Sequence, residues 1–257
     1  MAMKAARIGG HELLKWMGKT KTSEKNPGDF VTQADFASQK AIHDFLSDHF
    51  PNHGFVGEED DGTDQQFENG QLCWIVDPLD GTKNYIHGLR SFSVSIALVQ
   101  INNESVDQIL AGAVLDPAID ECYSAGLGTG AELNGQPIQV SGETELREAM
   151  LVCSFSTRVS RDSAEVHRFL NLLGQAGSIR RLGSAALNLC YLACGRLDGY
   201  WASSLQCWDV AAGALILTEA GGDIVDLNGA PFKLRLPSML ATSSPGLREK
   251  ILPALQV

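Results

Sequence analysis

The segment LCWIVDPLDGT, residues 72–82, constrains this chain more than any other. Leu72 to Val76 run apolar without interruption, the pattern of a strand that must be covered on both faces. The run ends in Asp77, Pro78 stiffens the turn, Asp80 follows three residues on, and Gly81-Thr82 open what reads as a short helix. Two carboxylates therefore converge beside free backbone N–H groups at one strand end. Hard oxygen ligands next to such donors are what Mg²⁺ and the phosphate oxygens it binds require. The same residues also suit a plain β-turn with Asp80 as a helix cap.

The flanking sequence sets the frame around that strand. Ala37, Ala41, Ile42, Phe45 and Leu46 recur at three and four residues and predict an amphipathic helix ending before Pro51, with Thr32 and Asp35 as cap and third residue at its start. Residues 1–19 carry Ile8, Leu13, Leu14 and Met17 at looser helical spacing, and TKTSEKNPGD after them reads as an exposed loop. Phe55-Val56 is a short apolar step into the acidic GEEDD. SFSVSIALV alternates with period two, ILAGAVLDPAIDECYSA reads as two strands joined by a DPAID turn, and Asn134-Gly135 marks a hairpin with its return strand at 138–140. Residues 1–140 thus read as an α+β half with a mostly antiparallel sheet. From residue 141 strands and helices alternate: LVCSF, a helix near 163–173, SIRRL, a helix from Ser184, DGYW, a helix from Asp209, DIVDL, and MLATS before a short terminal helix. That texture is α/β. Without a linker or repeat between them, the halves 1–140 and 141–257 are expected to form one compact unit with its ligand between them.

Composition enters as a set of exclusions. With 44% hydrophobic and 20% charged residues, 257 positions suffice for a sizeable core, which excludes disorder and small disulfide scaffolds. Lys and Arg number 20 against 31 Asp and Glu, a net charge of −11 without a basic cluster, so a nucleic-acid polymer is not an expected partner. No window reaches the roughly 18 apolar residues of a membrane helix, and the N-terminus lacks the apolar block of a signal peptide. The expectation is a soluble, cytoplasmic protein with no membrane partner. Six scattered cysteines read as buried reduced thiols; Cys190 and Cys194 lie one helical turn apart without the second pair that a zinc site needs. GLGTGA, residues 126–131, fits a loose dinucleotide fingerprint, but the hairpin-like ELNGQPIQV follows where a helix is required.

Acids also stand at other element ends: Glu58 and Glu59 after Phe55-Val56, and Asp209 in CWDVAAGALILTEAGG. Taken singly, GEEDD suits a solvated loop and Asp209 an N-cap; together with Asp77 and Asp80 they are about enough for two Mg²⁺ ions. GEE at 57–59, WIVDPLDGTKNYIHG at 74–88, and WDVAAG with TEAGG at 208–222 resemble, in order and spacing, the signatures of the inositol monophosphatase family. The likeness extends to DFVTQAD at 29–35 and GSAALNLCYLACGRLDGYW at 183–201. It implies a layered αβαβα sandwich of the inositol monophosphatase and fructose-1,6-bisphosphatase type, usually a homodimer. The implied activity is Mg²⁺-dependent, often lithium-sensitive hydrolysis of a small phosphate monoester.

Carried over by that resemblance, Glu58, Asp77 and the Leu79 carbonyl would hold a first ion and Asp77, Asp80 and Asp209 a second, with Glu58 contributing to a weaker third. Asp35 and Thr82 would orient the attacking water, and Gly81 and Thr82 would give backbone donors to the phosphate. Gly183, Ser184 and Ala185 would line the substrate end, along with Asp80. The leading substrate is inositol monophosphate; histidinol phosphate, 3′-phosphoadenosine 5′-phosphate and fructose 1,6-bisphosphate are the alternatives within the family. A catalytically inactive metal-binding or scaffold protein is the alternative outside it. Two positions depart from the pattern: Ala202 stands where inositol-preferring relatives have a substrate-binding Glu, and Glu24, beside Lys25, where they have a loop Lys. Arg158, Arg161, Arg180 and Arg181 read either as contacts to a second phosphate or as ordinary surface residues.

Overall fold

Helix α1 (Ala2–Trp16) buries a stripe of small residues, Ala5, Ala6, Gly9 and Gly10, together with Leu13. Leu14, which the sequence pattern groups with the apolar face, is exposed. The reason is close approach: a Cβ on Gly9 would stand 2.6 Å from Ile42 and 2.7 Å from Ser38, so α1 packs tightly on α2 (Gln33–His49). Between them, β1 (Thr22–Asn26) and β2 (Asp29–Thr32) pair as an antiparallel hairpin with Glu24 opposite Phe30, where the sequence predicts a loop. The structure, a computed structural model, describes residues 1–19, 22–26, 29–60, 68–102, 108–235 and 238–257, with the backbone alone at 25, 26 and 29. Pro27, Gly28 and the Lys25 side chain lie outside the described residues.

The apolar and alternating runs form a seven-stranded sheet in chain order: β3 (Gly54–Gly57), β4 (Leu72–Asp80), β5 (Ser93–Gln100), β6 (Gln108–Asp116), β7 (Glu121–Gly126), β8 (Ala131–Leu133) and β9 (Gln136–Pro137). β3 and β4 are parallel and every other pair is antiparallel. The Asn134-Gly135 turn has positive φ at both residues, 50° and 78°, as a two-residue hairpin requires. Its return strand is residues 136–137 rather than 138–140: the Ile138 N–H still donates to Ala131 O, but the Val140 N–H has turned to Ala220 O.

After α3 (Thr82–Ile86), the next helices are α4 (Ala164–Leu173), α5 (Ala185–Ala193), α6 (Cys207–Glu219) and α7 (Pro245–Ile251). A second sheet has the order β11 (Ser178–Arg180), β10 (Met150–Cys153), β12 (Gly199–Ala202), β14 (Met239–Thr242), β13 (Asp223–Val225). β10 is parallel to both β11 and β12, while β14 is antiparallel to both of its neighbours. Helices α1 and α2 cover one face of the first sheet; α5 and α6 are sandwiched between the sheets; α4 and α7 cover the far face of the second. This is the layered αβαβα architecture. Close contact reaches the backbone here too, since a Cβ on Gly112 of β6 would meet Ala212 O of α6 at 2.9 Å. Among the described residues, no helix is long and apolar enough to cross a membrane, and no disulfide joins any two of the six cysteines. The Gly126–Ala131 segment turns directly from β7 into β8, as the sequence predicts, and the Glu219 carboxylate at the end of α6 accepts from the Gly128 and Gly130 N–H groups at 2.7 and 2.8 Å.

Asp116, at the end of β6, is fully buried; its Oδ1 accepts from Ala118 N–H at 2.9 Å, and its Oδ2 has no hydrogen-bond partner among the described residues. Burial pushes this carboxyl up to about 6, against the Ala118 hydrogen bond and with help from the Glu121 charge. The folded chain therefore keeps a proton that the unfolded chain, at the ordinary value of 3.8, releases earlier. That contribution to stability is complete below the unfolded value and is lost as pH rises through the folded one. Asp116→Asn cannot ionise, so its unfolding free energy relative to wild type should rise by about 2 to 3 kcal/mol between roughly pH 4 and pH 8. Urea unfolding at both pH values checks this; a pH-independent difference would refute it.

Candidate active site

The strand-end segment folds as a bulge. Asp77 faces Ser95 and Asp80 faces Ser93 across β5, leaving Pro78 and Leu79 looped out of register. Asp77 Oδ1 accepts from the Leu79 N–H at 3.0 Å, closing an Asx-type turn, and Thr82 Oγ1 donates to Leu79 O at 3.0 Å. Gly81 then caps α3 with φ 91°, and a Cβ there would lie 2.9 Å from Ser91 O and 3.3 Å from Gly183 O. Both neighbours are backbone and neither can step aside. Gly81→Ala is accordingly expected to cost about 2 kcal/mol or more in stability; thermal unfolding measures it, and a wild-type midpoint would refute the fit.

Four carboxylates gather at this strand end. Asp77 is 1% exposed and Asp80 8%, while Glu58 and Asp209 are half-buried. Burial pushes the Asp77 carboxyl well above the usual range, and the charges of Glu58, Asp80 and Asp209 push it further. Burial and the Asp80 charge do the same to Asp209. Asp80 is raised less, because its Oδ2 accepts from Ser184 Oγ at 2.6 Å and Ala186 N–H at 2.7 Å at the start of α5, with Ser93 adding a further hydroxyl. Asp209 is the third residue of α6 rather than its cap: the helix starts at Cys207, and Gln206 N–H donates to Asp209 Oδ2 at 2.7 Å.

Asp35 both starts a helix and faces the site, through different atoms. Its Oδ2 closes a capping box, accepting from Thr32 N–H at 2.9 Å and Thr32 Oγ1 at 2.6 Å. Its Oδ1 faces Thr82 Oγ1, 3.5 Å away. Burial lifts the Asp35 carboxyl to about 6, opposed by the Thr32 hydroxyl and assisted by the Glu59 charge.

A cleft of about 540 Å³ opens over these groups, lined by Asp80, Gly81, Thr82, Asp209, Gly183 and Ala185 from the expected set. Glu58 and Asp77 do not line it. Ser184 is buried and spends its hydroxyl on Asp80 instead of facing the cleft. Of the four arginines, Arg181 lines the cleft with its guanidinium 5.1 Å from the Phe155 ring centroid; Arg158, Arg161 and Arg180 are exposed outside it. Ala202 is buried at the end of β12, and Glu24 is exposed on the hairpin. Asn84 is a residue the sequence does not single out. Its amide bridges Ser91 O at 2.7 Å and Leu182 O at 2.8 Å, fixing the approach of α3 to Gly183. Only its place in the DGTKN stretch could have marked it.

Four hard-oxygen side chains at one strand end, whose charges raise the carboxyls of Asp77 and Asp209, form a donor set suited to divalent cations, and such a cation would offset both the desolvation and the repulsion. Among the described residues, no three His, Cys, Asp or Glu side chains stand grouped as ready ligands of one ion. Asp80 Oδ2 is turned to α5, and Asp209 Oδ2 to Gln206. By donor chemistry and by charge, the residues present fit a divalent metal.

The family model for the inositol monophosphatase family matches residues 1–257. The chain is 38% identical over 243 residues to the inositol-1-monophosphatase of Mesorhizobium japonicum, covering 93% of this chain and 89% of that relative. Among solved structures it is similar to the extragenic suppressor protein suhB of Bartonella henselae, 36% identical with a TM-score of 0.88, covering 98% of this chain and 96% of the other. It is also similar to the inositol monophosphatase of Anabaena (Nostoc) sp. PCC 7120, 34% identical with a TM-score of 0.85, covering 99% and 93% respectively.

Proposed function

The chain belongs to the inositol monophosphatase family and is a metal-dependent hydrolase of small phosphate monoesters; from that premise we propose that it uses Mg²⁺ to hydrolyse inositol monophosphate. The observation that carries the proposal is the convergence of Glu58, Asp77, Asp80 and Asp209 at the end of β4, each of the three aspartates held above its ordinary pKa. The activity named for the Mesorhizobium relative supports the choice of substrate.

In this reading Glu58, Asp77 and the Leu79 carbonyl hold one ion and Asp77, Asp80 and Asp209 a second, with Glu58 contributing to a third. The chemistry a metal would supply there is activation of a water and offset of the negative charge that builds on the phosphoryl oxygens. Thr82 Oγ1 stands between Leu79 O and Asp35 Oδ1; it takes a proton from the attacking water while passing its own to the Asp35 carboxylate, so the hydroxyl is restored and the proton rests on Asp35. Asp35 keeps its other oxygen on Thr32, so the base is oriented by the same bonds that start α2. The backbone at Gly81 and Thr82 faces the cleft and gives donors to the phosphate, while Gly183 and Ala185 leave room for the alcohol. Ser184 serves by holding Asp80. The boundary at residues 140/141, with the cleft between the halves, belongs to the same proposal, as do a cytoplasmic homodimer and sensitivity to lithium; a net charge of −11 supports the absence of a nucleic-acid partner.

The test is release of inorganic phosphate from inositol 1-phosphate, histidinol phosphate, 3′-phosphoadenosine 5′-phosphate and fructose 1,6-bisphosphate, each with Mg²⁺ or EDTA. Preference for inositol 1-phosphate that EDTA abolishes is the expected result; no release from any ester would end the reading. One observation favours another ester of this group. The cleft wall carries Arg181 against Phe155, and Ala202 lacks the acid that would bind a polyol hydroxyl, a pairing suited to a planar or anionic alcohol.

A further inference from the structure

Glu165, in the first turn of α4, lies outside the carboxylate cluster and is 9% exposed. Its Oε1 accepts from Ser156 N–H at 2.9 Å, Ser203 Oγ at 2.9 Å and Ser204 Oγ at 3.3 Å, and its Oε2 accepts from Ser156 Oγ at 2.7 Å. Burial opposes the charge, but these hydrogen bonds outweigh it, and the carboxyl sits below the usual range. One side chain thus ties together the segments that leave the ends of two neighbouring parallel strands, β10 and β12.

Both segments build the cleft. Ser154, Phe155, Thr157 and Leu205 line it, whereas Ser156, between them, turns back to Glu165. Ser154 is held from below, its Oγ 2.8 Å from the Tyr200 hydroxyl. Phe155 rests edge-on against Phe169 of α4, ring centroids 5.9 Å apart, with Arg181 over its ring. The wall is thus held from behind at Ser154, Phe155 and Ser156, by Tyr200, Phe169 and Glu165 in turn, and presents Ser154, Phe155 and Thr157 to the cleft.

We propose that Glu165 is a positioning residue that sets the depth and orientation of this wall, and thereby the fit of the alcohol portion of the substrate. The inference rests on the phosphatase reading. It separates two binding energies: phosphate is held at Gly81, Thr82 and the metal ligands, none of which Glu165 touches, while the alcohol meets the wall.

Steady-state kinetics on inositol 1-phosphate at saturating Mg²⁺ provide the test. Glu165→Ala should raise KM about tenfold and leave kcat within about twofold, with the Ki of inorganic phosphate unchanged. Glu165→Gln keeps the volume and one acceptor for the Ser156 N–H, and should show the same split at about threefold even if the alanine variant folds poorly. Adding Ser203→Ala to Glu165→Ala should cost little more than Glu165→Ala alone. An unchanged KM, or a KM and phosphate Ki that rise together, would overturn the assignment. Wild-type chain that releases phosphate from no ester would instead overturn the phosphatase reading, and this inference with it.

Discussion

Asp77→Asn is expected to lower kcat/KM for phosphate release by at least about 10³-fold at saturating Mg²⁺, because the substitution removes a shared ligand whose ions supply several kcal/mol of charge stabilisation. The fold should survive. Asparagine keeps an oxygen for the Leu79 N–H, the hydrogen bond that closes the turn at this residue. The metal-free variant should even unfold at a higher temperature than metal-free wild type, by about 2–4 °C for each kcal/mol of relieved desolvation and repulsion, since Asp77 is buried against three other carboxylates. Mg²⁺ should then raise the unfolding temperature of wild type well above that of Asp77→Asn, as binding to the folded state alone requires. Wild-type turnover in the variant would remove Asp77 from the metal site. Equal thermal shifts on adding Mg²⁺ would do the same without reference to activity.

Asp35→Asn should cut kcat by about 10² to 10³, with the weaker bonds to Thr32 offset by relief of the burial that holds this carboxyl up at about 6. The two parts of that effect can be separated because the two oxygens have different partners. Thr32→Ala removes the hydroxyl that accepts from Ala34 N–H and donates to Asp35 Oδ2, so it should cost about 1 kcal/mol as a lost cap while leaving most of kcat. The proton-accepting role requires Asp35→Asn to be far the worse of the two in turnover. Parallel losses in both variants would reduce Asp35 to a capping residue.

The layered fold and the acids at the end of β4 were legible because each is written in consecutive residues. Leu72 to Val76 announces a strand buried on both faces, and DPLDGT has the turn chemistry of the bulge that follows. Thr32 and Asp35 spell a capping box within four positions. What the sequence hides is either dominated by small residues or distant along the chain. The packed face of α1 is alanine and glycine, so the larger Leu14 misleads. TKTSEKNPGD lacks any apolar alternation, yet its backbone pairs as β1 and β2. In the site, Asp80 finds Ser184 across 104 positions and Asn84 finds Leu182 across 98, and no local periodicity encodes such a meeting. Ser156 and Glu165 are only nine apart, but their bond depends on how α4 docks against the second sheet.

Helix α6 is fastened at both ends, by the Gln206–Asp209 capping box at its start and at its finish by Glu219 accepting from Gly128 and Gly130. Ten residues separate Asp209 from Glu219, about 15 Å of helix, and along it Gly112 holds the Ala212 backbone at near-contact distance. The helix is therefore a stiff strut with the glycine turn between β7 and β8 as its footing. Drift in that turn would tilt the strut and move Asp209 at its other end, so the tolerances of the chemistry are set partly at a hairpin a helix-length away, in residues that never approach the substrate.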